Sequence, residues 1–309
     1  MLSNVLVLIA PHGNIPTDTL QSLLKLQAAR AVIQNGGSQT DVTLTRCVQA
    51  GTAFKILKER QSIEWVFWLD HDMVCEPESV YRLVEYSKIL HKELNRLSTI
   101  DYRLSSYPSL SGIYINRHRQ VPSVAAWKLK NEDVITLNST IEREPKATES
   151  TIDHRFVPAL TGMGCLLQHR NVFMAHCDES IQFNYPLYGN LLPQVCESRL
   201  ASQAEFAPYV DIHDDVKALY WMNEDFSYTL REIKNGRRVF VAPVPFGHIS
   251  NTILWPDERT VFPGLTPSSE GFALTGSRKQ MTDDNASSLN LSSAICHPSS
   301  SRQPIAESR

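Results

Sequence analysis

With 309 residues, 42% of them hydrophobic and 20% charged, the chain has a globular composition and the length of one large α/β unit. A formal net charge of −3 excludes a broad basic surface, and with it non-specific binding to duplex nucleic acid, though not a local basic groove. The longest apolar opening, Val5 to Ala10, is too short for a membrane span and lacks the basic leader and cleavage site of a secretory signal, so a cytoplasmic protein without membrane contact is expected.

That opening reads as a buried first strand, followed by a tight ligand-facing turn, Pro11-His12-Gly13-Asn14. A helix follows. Asp18 with Gln21 resembles a capping box, Leu20, Leu23, Leu24, Ala28, Ala31 and Val32 form an apolar stripe, and Asn35-Gly36-Gly37 ends it. A short strand is expected around 42–44 and a second helix over 46–60. Residues 65–69, Trp-Val-Phe-Trp-Leu, form an apolar run that ends in Asp70, His71 and Asp72.

Side chains alternate along an extended strand, which puts Asp70 and Asp72 on one side. At the C-terminal end of a strand in an open α/β sheet, that side faces the ligand crevice. Two carboxylates there repel unless a cation lies between them. The ready explanation is a divalent ion, Mn²⁺ or Mg²⁺, that also grips a diphosphate.

Pro77 suits a first helical position, with Glu78 favourable beside the positive helix end. Val80, Leu83, Val84 and Leu90 make the inward face of that helix. Alternating strands and helices imply a mostly parallel central sheet flanked by helices. Strands are expected over 110–116 and 123–129, with a polar connection over 134–152. An apolar segment over 156–168 is broken by Thr161-Gly162-Met163-Gly164, and residues 178 to 215 form a long loop-rich insertion. Asn223 caps a helix through Phe226, Leu230 and Ile233 that Asn235-Gly236 ends. A last strand near 239–242 leads to Pro243-Val-Pro-Phe-Gly-His248. From about 266 onward Ser, Thr, Asn and Pro dominate, and a disordered tail over 266–309 is expected.

The six cysteines contain no C-x-x-C pair and are expected as buried, reduced thiols. Cys165, His169, His176 and Cys177 match no common zinc spacing. The sequons at Asn138, Asn285 and Asn290 reflect composition in a chain without a secretory leader.

Five motifs in order, Trp68-Leu-Asp-His-Asp-Met73, Gly112-Ile-Tyr114, Thr161-Gly-Met-Gly164, Asn223-Glu-Asp225 and Phe246-Gly-His248, resemble the GT-A class of nucleotide-sugar-dependent glycosyltransferases, close to the family 2-like branch. The resemblance implies a single Rossmann-like GT-A domain over 1–265, with a nucleotide-sugar half over about 1–116 and an acceptor half over about 117–265. It implies that Asp70, Asp72 and His248 hold Mn²⁺ (or Mg²⁺), with Asp70 also reaching the ribose. It makes Asp225, with Glu224 close behind, the base that activates an acceptor hydroxyl. Helix-end amides are expected to keep Asp225 ionised. Pro11 and His12 fall near the nucleotide, Arg46 resembles a family arginine near that site or is a surface charge, and Gly162 and Gly164 let backbone approach donor or acceptor, or permit a tight turn. Trp127 and Trp221 are expected in the core rather than stacked on a sugar. Asp211-Ile-His-Asp-Asp215 is a solvated loop or a competing cation site.

The implied donor is a nucleoside-diphosphate sugar. The acceptor is a hydroxyl-bearing small molecule, glycan, protein or modified DNA base. A sugar-phosphate nucleotidyltransferase is the competing enzyme, but its Gly-rich phosphate loop is missing from the Pro-His-Gly-Asn turn. A non-catalytic nucleotide-sugar-binding protein of the same fold is the third reading.

Overall fold

The structure is a computed structural model that describes residues 1–11, 13–35, 41–97, 107–116, 124–133, 135–136, 155–185, 191–211, 219–250 and 252–256. The first part of the chain runs β1 (Val5–Ala10), α1 (Thr17–Ala28), β2 (Val32–Asn35), α2 (Val42–Glu59), β3 (Trp65–Asp70), β4 (Met73–Val74) and α3 (Pro77–Leu97). Then come β5 (Ser109–Ile113), β6 (Ala126–Lys128), β7 (Ile135–Thr136), β8 (Arg155–Thr161), β9 (Cys165–His169), α4 (Arg170–Glu179), β10 (Gln182–Asn184) and β11 (Leu191–Pro193). The last part is β12 (Arg199–Ser202), α5 (Gln203–Phe206), β13 (Leu219–Met222), α6 (Glu224–Lys234), β14 (Val239–Pro245), β15 (Gly247–Ile249) and β16 (Ile253–Leu254).

A nine-stranded sheet, in the order β2-β1-β3-β9-β5-β14-β8-β6 with β7 beside β8, forms the middle layer. Alternation along its inner strands divides the core in two. Val5, Val7, Ile9, Trp65, Phe67 and Leu69 pack with side chains of α1 and α3 on one face. Leu6, Leu8, Val66 and Trp68 pack with those of α2 and α4 on the other. Every residue of β1 is buried, as a strand covered by helices on both faces requires.

The fold corrects the expected sheet: it is mixed. β1 pairs in parallel with β2 and β3, and β14 with β5. But β9 lies antiparallel between β3 and β5, and β8 antiparallel to β14. The break at Gly162–Gly164 is a turn between two strands that are not neighbours in the sheet.

Two helix expectations are also corrected. α1 ends at Ala28 because Arg30 takes a left-handed φ of 72°, and Val32 then pairs with Leu6 as β2. Leu20 and Leu24 are exposed, while Leu23 and Leu26 face inward. Pro16 precedes the helix, without a side-chain cap, in place of the Asp18 box. Residues 42–44 begin α2 rather than a strand, because Asp41 accepts a hydrogen bond from the Leu44 amide at 3.1 Å and caps it. Pro77 opens α3 as expected, and Asn223 caps α6 through the Phe226 amide at 3.2 Å. The expected tail and the 137–152 connection lie outside the described residues. Among the described residues, no helix is long and apolar enough to cross a membrane.

Candidate functional site

Asp70 closes β3, opposite Ala10 at the end of β1, so Pro11 and Asp70 share one edge of the sheet. The strand stops there. His71 and Asp72 form the turn into β4, and the two aspartates take different partners, which the alternation rule did not anticipate.

Asp70 Oδ1 accepts from Arg46 Nη2 at 2.9 Å. The same nitrogen lies 2.5 Å from Asp225 Oδ1 and 3.6 Å from Glu224 Oε1. The Asp225 contact is an ion pair without hydrogen-bond alignment, so that oxygen has a charge beside it but no aligned donor. The Arg46 side chain is 2% exposed, and its Nε and Nη1 lack hydrogen-bond partners among the described residues. Burial alone would depress its pKa. Asp225, Asp70 and Glu224 outweigh that and hold it above the usual arginine value. Arg46 is therefore the buried counter-ion of the acidic cluster rather than a surface charge.

The start of α6 presents the acid pair. Ser198 donates to Glu224 Oε2 at 3.3 Å and shares a 3.1 Å hydrogen bond with Thr43 on α2. Asp225 is 17% exposed. Burial pushes its pKa up, Arg46 and the Met163 amide oppose this, and Asp70 and Glu224 add to it, for a value of about 7. The expectation that helix-end amides keep it firmly ionised is corrected: desolvation, with the like charges of Asp70 and Glu224, outweighs them. Burial likewise raises Asp70, with Arg46 opposing and Asp72 and Glu224 adding. A carboxylate titrating near neutrality can accept a proton and release it again.

Pairing of β15 with β4 sets His248 opposite Met73 and brings its ring to Asp72. His248 Nε2 lies 3.5 Å from Asp72 Oδ2, and Nδ1 lies 2.7 Å from the Ile115 carbonyl. A carbonyl only accepts, so Nδ1 carries the proton and Nε2 is the nitrogen that faces the carboxylate. Among the described residues, no group of three or more His, Cys, Asp or Glu side chains is close enough to hold a metal ion. The expected set is thus divided: Asp72 and His248 stand together, while Arg46 takes one oxygen of Asp70.

Sequence reasoning gave Tyr114 no role. A Cβ on Gly162 would overlap its hydroxyl, and one on Gly164 would meet its ring at 3.1 Å. Its ring stands edge-on to His248 at 5.7 Å. Burial, then the charge of Asp225, raises the phenol pKa well above normal. The two glycines therefore make room for Tyr114. The Gly112-Ile-Tyr114 motif was visible in the sequence, but nothing local linked it to Gly162.

Of the remaining expectations, His12 and residues 212–215 lie outside the described residues. Asp211 pairs with Lys130 at 3.1 Å. Trp127 stacks on Phe226 at 4.5 Å. Trp221 is 66% exposed, against its expected core position, because it lies on the outer face of the β12–β13 ribbon opposite Leu200.

No family model matches this chain, and no curated protein matches it. It is similar to the solved structure of A197 from STIV, with 14% identity and a TM-score of 0.39, over 80% of this chain and 85% of that one. It is also similar to a glycosyltransferase involved in the glycosylation of the major capsid of PBCV-1. That likeness has 10% identity and a TM-score of 0.27, over 59% of this chain and 71% of that one. Neither likeness is close enough to assign an activity.

Proposed function

We propose that the chain is a glycosyltransferase that moves a sugar from a nucleoside-diphosphate donor to a hydroxyl acceptor. The observation that carries this reading is the convergence of Asp70, Glu224 and Asp225 on one buried guanidinium, beside the Asp72–His248 pair. Asp72 and His248 would hold a divalent cation, with the remaining ligands from Asp70, water and the donor diphosphate. Such an ion would supply Lewis-acid neutralisation of charge on the departing nucleotide. Asp225 takes the proton of the acceptor hydroxyl as the bond to the sugar forms. Arg46 holds Asp225 and Asp70 in fixed relation, so that base and donor site keep their spacing.

The test is a panel of nucleotide sugars titrated into the protein with and without Mn²⁺, followed by donor hydrolysis. Metal-dependent binding of one donor is expected, and Asp72→Ala abolishes it. Asp225→Asn keeps donor affinity and loses transfer by about 10²-fold or more. If no nucleotide sugar binds with metal present, the reading fails. Unchanged transfer by Asp225→Asn removes that residue as the base.

A further inference from the structure

The segment from Gln194 to Ser198, between β11 and β12, is bonded to one face of α6. The Gln194 carbonyl accepts from Arg231 Nη1. Further along, the Glu197 amide donates to Ser227 Oγ at 2.8 Å, and Ser198 Oγ donates to Glu224 Oε2 at 3.3 Å. Positions 231, 227 and 224 stack on one side of a helix, so the segment follows α6 backwards to its first turn. Ser198 also meets Thr43 Oγ1 at 3.1 Å. One residue thus joins α6, which carries Glu224 and Asp225, to α2, three residues before Arg46.

The middle of the segment is gripped from α4. His176 is fully buried. Its Nε2 donates to the Val195 carbonyl at 2.9 Å, and its Nδ1 donates to the Glu232 carboxylate of α6. The ring also lies flat on Tyr228 of α6, at 4.1 Å and 16°. Both hydrogen-bond partners are oxygen acceptors, so each ring nitrogen serves as a donor. Glu232 does not depend on the ring for a counter-ion, because Arg237 Nε lies 3.1 Å from the same oxygen. An apolar ring would fill this place without polar atoms to satisfy. Filling therefore does not account for a histidine that turns one N–H onto the backbone of the segment leading to the acid pair.

We propose that His176 is a positioning residue for the acid pair: it ties the 194–198 segment to α6 and, through Ser198, sets Glu224 and Asp225 against Arg46. Its effect on turnover rests on the glycosyl-transfer reading; its hold on the segment does not. With the segment released, the base loses its fixed spacing and turnover falls, while Asp72 and His248 on the donor side are untouched.

Two variants of the full chain test this. His176→Phe keeps a ring on Tyr228 but donates nothing, and His176→Gln restores an N–H near the place of Nε2. Hydrogen exchange read by NMR needs no substrate. Beyond any change in the β1 amides, the Glu197 amide should exchange about tenfold faster in His176→Phe and near the wild-type rate in His176→Gln. In the transfer assay, His176→Phe should lose about tenfold in kcat with donor KM unchanged, and His176→Gln should recover most of it. Ser198→Ala, at an exposed position, tests the last link whether or not His176→Phe folds; it should lower kcat about threefold with the melting temperature unchanged. The proposal is overturned if the Glu197 amide follows the β1 amides in His176→Phe, if His176→Gln behaves like His176→Phe, or if Ser198→Ala keeps full kcat. A wild-type chain that turns over no donor removes the proposed function instead, and the exchange rates still decide whether His176 holds the segment.

Discussion

Arg46 shows what a single side chain does in this site. A guanidinium taken out of water is costly unless charges surround it, and here three carboxylates do. A sign of this was present in the sequence. Positions 46, 50, 53 and 57 follow a helical stripe whose other members, Ala50, Ala53 and Leu57, are fully buried, so an arginine heads a core face. Its partners could not be read, because Asp70 and Asp225 reach it from separate elements. Gly162 is the second case, since it is small in order to fit Tyr114. Gly162→Ala should cost about 1–3 kcal/mol by overpacking. With Tyr114→Phe the nearest atoms left are Asp225 Oδ2 at 3.4 Å and the ring carbon at 3.5 Å, so the double variant should recover most of the loss. A double-mutant cycle in urea should give a coupling above about 1 kcal/mol. Additive losses would show that the glycine serves something else.

At the scale of elements, the legible parts were those whose information is local. The continuous apolar runs of β1 and β3, proline at the start of α3 and asparagine before α6 each act within a few residues. The boundary among α1, β2 and α2 was misread because Ala31 and Val32 extend the helical spacing, and because the β-branched Val42 and Thr43 favour strands. Arg30 and Asp41 override both. α4 has an unusual cap: His169 Nδ1 accepts from the Asn171 amide at 3.3 Å, so the ring must be neutral at that nitrogen. It stacks on Tyr107 at 4.5 Å. Burial, with Arg170 and His91 adding and Glu64 opposing, lowers its pKa from 6.5 to about 4. Its stabilisation is therefore complete above the unfolded value and is lost as pH falls toward 4, where the unfolded chain takes up a proton and the folded chain does not. At about 1.4 kcal/mol per pKa unit, reduced for partial exposure, the loss is on the order of 2 kcal/mol. His169→Asn keeps a capping acceptor that cannot titrate. Urea midpoints at pH 4.5 and 7.5 should fall further for the wild-type chain than for this variant. Equal falls would rule out His169 as the source.

For the whole molecule, the order of strands matters more than their number. The last long strand in sequence, β14, occupies an inner position between β5 and β8, and Phe240, Ala242, Val244 and Phe246 join the core that α3 and β1 begin. Nothing local in the sequence forecasts such an insertion, nor the antiparallel placement of β9 between β3 and β5 that makes the sheet mixed. The same insertion completes the site, because β14 leads directly into β15 and His248. Sheet closure and site assembly are thus one event with a long loop-closure cost, paid before the contacts that repay it form. A chain ending at Arg238 retains α2, β3 and the acid pair of α6 but leaves an open slot between β5 and β8. Such an edge is unpaired on both sides and lined with apolar groups, so independent stability is not expected. The truncated chain should lose near-UV circular dichroism and cooperative melting while keeping far-UV helical signal. A point substitution in the complete chain, Phe240→Ala, should cost about 3–5 kcal/mol while preserving a single transition. A cooperative melt by the truncated chain would mean that the first eight strands of the sheet form a stable core before β14 arrives.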